Sequence, residues 1–131
     1  MPNNKFIFGK VSESNLIGVH PDLVKVVRRA LELTPIDFKV IEGRRTLERQ
    51  RELVKTGASQ KLNSRHLTGH AVDIVPLPNG KVSWDWQYFR PMAEAVKQAA
   101  AELGITVEWG GNWTTFKDGP HFQLPARQYP G

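Results

Sequence analysis

At 131 residues the chain has the length of one ordinary domain, and we read residues 1–131 as a single domain able to bury a core without staples. It has no cysteine, which excludes a disulfide framework and any thiolate metal site, so a metal would need nitrogen and oxygen ligands. The net charge of +5 favours anionic partners, but the basic residues are scattered through KVVRRALE, GRRTLERQRELVK and KLNSR. That is the pattern of solvated helix surfaces rather than of a nucleic-acid patch.

The opening MPNNKFIFGK lacks the apolar run and small-residue cleavage signature of a signal peptide, and no apolar stretch is long enough to span a bilayer. We therefore expect a chain made in the cytoplasm, with no membrane insertion. After this short segment, HPDLVKVVRRALEL reads as a helix. Pro21 suits its first turn, and Leu23, Val26, Val27, Ala30 and Leu31 share one face. Thr34 and Pro35 break it, and Phe38, Val40 and Ile41 suggest a short strand. Thr46 can cap a second helix, LERQRELVKTG, with Leu47, Leu53 and Val54 as its apolar marks and Gly57 as its stop.

ASQKLNSRHLTGH is polar and aperiodic, hence a loop, while AVDIV is rich in branched apolar residues and reads as a buried strand. A third helix runs from about Trp86 to Leu103 and ends at Gly104, with Phe89, Met92, Ala93, Val96, Ala100 and Leu103 as its stripe. ITVEWG and PHFQL read as further strands, with the loop GNWTTFKDG between them. Helices and strands mix without regular alternation, which predicts an α+β fold: a small antiparallel sheet packed with about three helices.

SRHLTGHAVDIV poses the functional question. His66 and His70 have the spacing of two zinc ligands on a helix, but no glutamate stands between them and Gly69 weakens a helix there. Strand alternation instead sets Ala71, Asp73 and Val75 on one face and Val72 and Ile74 on the other. Asp73 is then a carboxylate in an apolar strand, a costly placement that a cation relieves. His66 can fold back to share that cation, with Gly69 allowing the bend.

A catalytic zinc site needs a third protein ligand. His20 stands at a helix mouth, where capping is the simple reading; His121 stands on a short strand, with Asp118 three residues before it. That arrangement suits His121 as ligand and Asp118 as a base reaching a bound water. Trp86 and Trp109 read as packing residues, and Trp113, in the polar loop near Asp118, as a border of a substrate groove. Glu42 and Glu108 read as hydrogen-bonding supports, and Gln50 as a support for Arg45.

SRHLTGHAVD matches the SxHxxGxAxD pattern of the M15 zinc metallopeptidases, a family that includes D-Ala-D-Ala peptidases and phage endolysins. EWGGNWTTFKDGPHFQL resembles the closing segment of its phage L-alanyl-D-glutamate endopeptidase branch, and GVHPDLVKVVRRALELTPIDFKVIEGRRT the opening, with a GxR[ST] element at Gly43, Arg45 and Thr46. The resemblance runs from about Leu16 to Leu124, with the motifs in the family's order.

It implies a Hedgehog/D,D-peptidase-like fold with the zinc site on the sheet. It also implies one Zn2+ per chain on His66, Asp73 and His121, Asp118 as general base and Arg45 as oxyanion stabiliser. Ser64 would help bind substrate. The implied activity is hydrolysis of the L-alanyl-D-glutamate bond of peptidoglycan stem peptides during phage or prophage lysis. The implied setting is a monomer that depends on a holin to reach the periplasmic wall. A D-alanyl-D-alanine carboxypeptidase of the same family is the nearest rival, since its metal chemistry would be identical. A non-catalytic wall-binding module leaves Asp118 and Arg45 without a purpose, and a nucleic-acid binder lacks an aromatic-plus-basic motif.

Overall fold

The computed structural model describes residues 6–57, 65–113 and 117–130. The stripe of apolar residues after Pro21 folds as α2 (Pro21–Leu33), preceded by a shorter helix α1 (Lys10–Leu16). His20 caps α2, its Nδ1 accepting from the Asp22 amide at 3.0 Å. Then follow β1 (Phe38–Glu42), α3 (Leu47–Lys55), β2 (Ala71–Pro76), α4 (Trp86–Leu103), β3 (Glu108–Trp109) and β4 (His121–Gln123). The four strands form one antiparallel sheet in the order β1-β2-β4-β3.

Alternation then separates two faces. Val40, Ile74, Val72, Phe122 and Trp109 lie on the face that packs against α2 and α4, where Leu23, Val26, Val27, Ala30, Phe89, Met92, Val96 and Ala99 complete the core. Asp73, His121 and Gln123 lie on the other face.

Four α-helices, α1 to α4, accompany the sheet among the described residues. The one beyond the expected three, α1, guards the open edge of β1: the Ser12 hydroxyl accepts from the Val40 amide at 3.0 Å, and the Asn15 side-chain amide donates to the Val40 carbonyl at 2.9 Å. An edge strand's backbone groups are thereby satisfied by side chains. The strand expected over ITVEWG is confined to Glu108–Trp109.

Helix α3 departs more. Leu47 is exposed, Leu53 and Val54 are half-buried, and its fully buried residue is Gln50, so a polar anchor, not an apolar stripe, seats it. Within the predicted loop, Arg65–Thr68 winds into a 3-10 turn, while residues 58–64 lie outside the described residues. No helix among the described residues is long and apolar enough to cross a membrane.

Candidate functional site

The register of the sheet builds the site. Asp73 on β2 stands opposite His121 on β4, so the two side chains share a face. On the other side of β2 the pairing slips between Val40 and Glu42, and this bulge sets Glu42 rather than Ile41 beside Asp73. The chain leaving β1 can then bring Gly43 and Arg45 to the same place. His66 arrives from the 3-10 turn, where its carbonyl accepts from the Arg45 amide at 2.9 Å. Gly69, at φ +78, closes that turn and carries the chain into β2.

His66 Nε2 and His121 Nδ1 lie 3.2 and 3.3 Å from Asp73 Oδ1, and the three ligand atoms fall within 4.8 Å of one another. The outer nitrogens are engaged. His66 Nδ1 is 2.8 Å from the Gly43 carbonyl oxygen, which only accepts, so Nδ1 carries the proton and Nε2 keeps its lone pair. His121 Nε2 lies 2.7 Å from Gln123 Oε1, which leaves the His121 lone pair on Nδ1.

With both imidazoles neutral, all three converging atoms are acceptors. They repel unless a cation or a proton stands among them, and two imidazole nitrogens with one carboxylate oxygen make a donor set suited to a divalent metal. The electrostatics agree. Burial pushes the Asp73 carboxyl up, but its contacts with the His121 and His66 imidazoles outweigh it and hold Asp73 well below the usual carboxylate range. Burial depresses His121, yet the bond to Asp73 raises it overall, so the site favours positive charge at this imidazole.

Asp118 lies in the field of these groups. Burial and the negative charge of Asp73 raise its pKa, against the pull of His121, His66 and Arg45. Its backbone is held on both sides: its amide donates to Gly110 O at 3.0 Å, and its carbonyl accepts from the His121 amide at 3.3 Å. Arg45, nearly buried, donates through Nη1 to Gln50 Oε1 and through Nη2 to Glu42 Oε1 at 2.6 Å, with Nη2 also 3.5 Å from Asp73 Oδ2. Arg44 is exposed. The Trp113 ring stands 5.1 Å from the His121 ring. Ser64 lies outside the described residues.

The sequence model of the phage L-alanyl-D-glutamate peptidase family matches residues 4–124. The chain belongs to this family. It is 40% identical over 130 residues to the L-alanyl-D-glutamate peptidase of Escherichia phage T5, covering 96% of this chain and 94% of that protein. The peptidoglycan L-alanyl-D-glutamate endopeptidase CwlK of Bacillus subtilis strain 168 is 34% identical over 104 residues, 68% of this chain and 61% of CwlK.

Among solved structures, the Serratia marcescens L-Ala D-Glu endopeptidase ChiX superposes with a TM-score of 0.90 at 58% identity, over 97% of this chain and 96% of that one. The vancomycin-resistance D,D-dipeptidase VanXYg shares the fold at a TM-score of 0.51 and 17% identity, over 81% of this chain and 50% of that one. The fold of this family member is thus the D,D-peptidase-like α+β fold that the motifs imply.

Of the residues singled out from sequence, His66, Asp73, Asp118, His121, Arg45 and Trp113 come together here. His70 goes elsewhere: its Nδ1 pairs with Thr68 Oγ1 at 2.6 Å, and its ring tilts against His20. The Gly43 carbonyl and Gln123 were not foreseen. A backbone carbonyl carries no side-chain signal, and Gln123 gains its place only through the i, i+2 repeat of β4.

Proposed function

We propose that this chain is a zinc endopeptidase that hydrolyses the L-alanyl-D-glutamate bond of peptidoglycan stem peptides. The observation that carries this reading is the convergence of His66 Nε2, Asp73 Oδ1 and His121 Nδ1, with both imidazoles turned by outer partners so that their lone pairs face inward. A zinc ion supplies a Lewis acid that polarises a carbonyl and lowers the pKa of a water.

Asp118, kept more basic than an ordinary carboxyl, accepts the proton of the attacking water and returns it to the leaving amine. Arg45 is pre-set by Glu42 and Gln50, so its positive charge meets the developing oxyanion without reorganising. Trp113, beside the His121 ring, borders the bound peptide, and Ser64 helps hold it. Relatives named for this bond and matched over nearly their whole length support the choice of substrate. We read the chain as one monomeric domain, made in the host cytoplasm and reaching the wall through a holin.

The deciding experiment is mass spectrometry of fragments released from purified peptidoglycan. Peptides with a new amino-terminal D-glutamate, leaving L-alanine on the glycan, are the expected products. Loss of terminal D-alanine alone would replace this reading with a carboxypeptidase.

A further inference from the structure

We propose that Glu108 and Gln123 form a positioning pair that selects the tautomer of His121 and so sets how tightly the site holds its metal. This rests on the reading of His121 as a ligand. Glu108, Gln123 and Ala71 stand in one row across β3, β4 and β2, on the face that carries Asp73 and His121. Ala71 is small, which leaves room for the Gln123 amide beside it. Gln123 Nε2 donates to Glu108 Oε1 at 3.0 Å, and Gln123 Oε1 lies 2.7 Å from His121 Nε2.

The ends of an amide are nearly identical in shape and opposite in function. An ionised carboxylate accepts only, so Glu108 obliges Gln123 to turn its NH2 outward and its oxygen toward His121. That oxygen in turn requires a proton on His121 Nε2, which leaves the lone pair on Nδ1, facing Asp73 and His66. Were the amide reversed, its NH2 would meet Nε2, the His121 proton would move to Nδ1, and the site would lose a donor. An exposed glutamate with no contact to the metal ligands thus reaches the site through one rotatable amide.

Three variants test this, each read by zinc affinity in chelator competition and by imidazole nitrogen chemical shifts of the zinc-loaded protein. Gln123→Leu removes the acceptor and should weaken zinc binding about 10–100-fold, the usual effect of losing an outer partner of a ligating histidine. Gln123→Glu combined with Glu108→Gln exchanges the two groups, keeps an acceptor for His121 and a donor beside it, and should stay close to wild type. Glu108→Gln, an exposed change that leaves folding intact, frees the amide to reverse and should weaken binding by a smaller factor. Wild-type affinity in both Gln123→Leu and Glu108→Gln, or coordination through His121 Nε2, would overturn the proposal. Undiminished zinc binding by His121→Ala would instead remove His121 from the ligand set, a separate and distinguishable result.

Discussion

His121 Nδ1 and Asp73 Oδ1 are 3.3 Å apart, held opposite one another by the pairing of β4 with β2. Burial lowers the pKa of His121, but its hydrogen bond to Asp73 and the charge of that carboxylate raise it overall, so protonated His121 forms an ion pair here. A group whose folded pKa is raised contributes stability that is complete below its unfolded pKa and is lost as pH rises through the folded value. Chelator-treated protein should therefore lose the contribution of His121 above about pH 6.5, the ordinary value for histidine. Urea unfolding at mildly acidic and mildly alkaline pH, in wild type and His121→Gln, measures it. The variant should show the smaller decline; equal declines would mean that His121 gains nothing from Asp73.

In the proposed mechanism Asp118 moves a proton, whereas the three converging residues hold a cation. Asp118→Asn keeps its size and its backbone bonds to Gly110 and His121 while removing the base. Turnover of muropeptides should fall by about 10²–10⁴-fold, the range for loss of a general base, with zinc content unchanged. Near-wild-type turnover would remove Asp118 from the mechanism.

Arg45 is forked between Glu42 and Gln50, and its side chain is only 6% exposed. A lysine ammonium is a point charge that cannot reproduce this planar fork. Arg45→Lys should lower kcat by about 10²-fold or more, as loss of one oxyanion donor does, while zinc still binds. A rise in KM with kcat unchanged would show that Arg45 grips substrate without stabilising the transition state.

Gly69 and Gly104 both have positive φ, at +78 and +68, but their surroundings differ. A Cβ at Gly69 would stand 2.2 Å from the Gly18 carbonyl oxygen, whereas one at Gly104 meets nothing within 4 Å. Gly104→Ala should cost about 1–2 kcal/mol, the left-handed penalty alone. Gly69→Ala adds a backbone clash beside the His66 turn and should cost clearly more, with weaker zinc binding; thermal unfolding and zinc titration compare the two.

The elements that could be read from sequence are those whose own residues decide them. Helices α2 and α4 carry full apolar stripes, and β2 carries a run of branched residues around one carboxylate. His66, Asp73, Asp118 and His121 could be picked out because each has chemistry that its neighbours do not explain. What stayed hidden depends on other elements. The bulge that seats Glu42 beside Asp73 arises from how two strands pair. Helix α3 is fastened by Gln50 to Arg45, a contact that no apolar pattern announces. Helix α1 has seven residues and one buried leucine, too little for periodicity to register and too short to stand alone in water.

The fastening of α1 yields the last prediction. Ser12 is 3% exposed, and its hydroxyl receives the Val40 amide at 3.0 Å, in the strand whose far end supplies Glu42. Ser12→Ala leaves that buried amide without its acceptor, which should cost about 1–3 kcal/mol. The damage should reach the site weakly, because the Asn15 bond to the Val40 carbonyl and the pairing of β1 with β2 still hold the strand. Urea unfolding should thus show the loss while zinc affinity stays near wild type. An Asn15→Ala, Ser12→Ala double variant removes both bonds, and there zinc affinity should begin to fall. If the double variant binds zinc unchanged, α1 protects the sheet edge without bearing on the placement of Glu42 and Arg45.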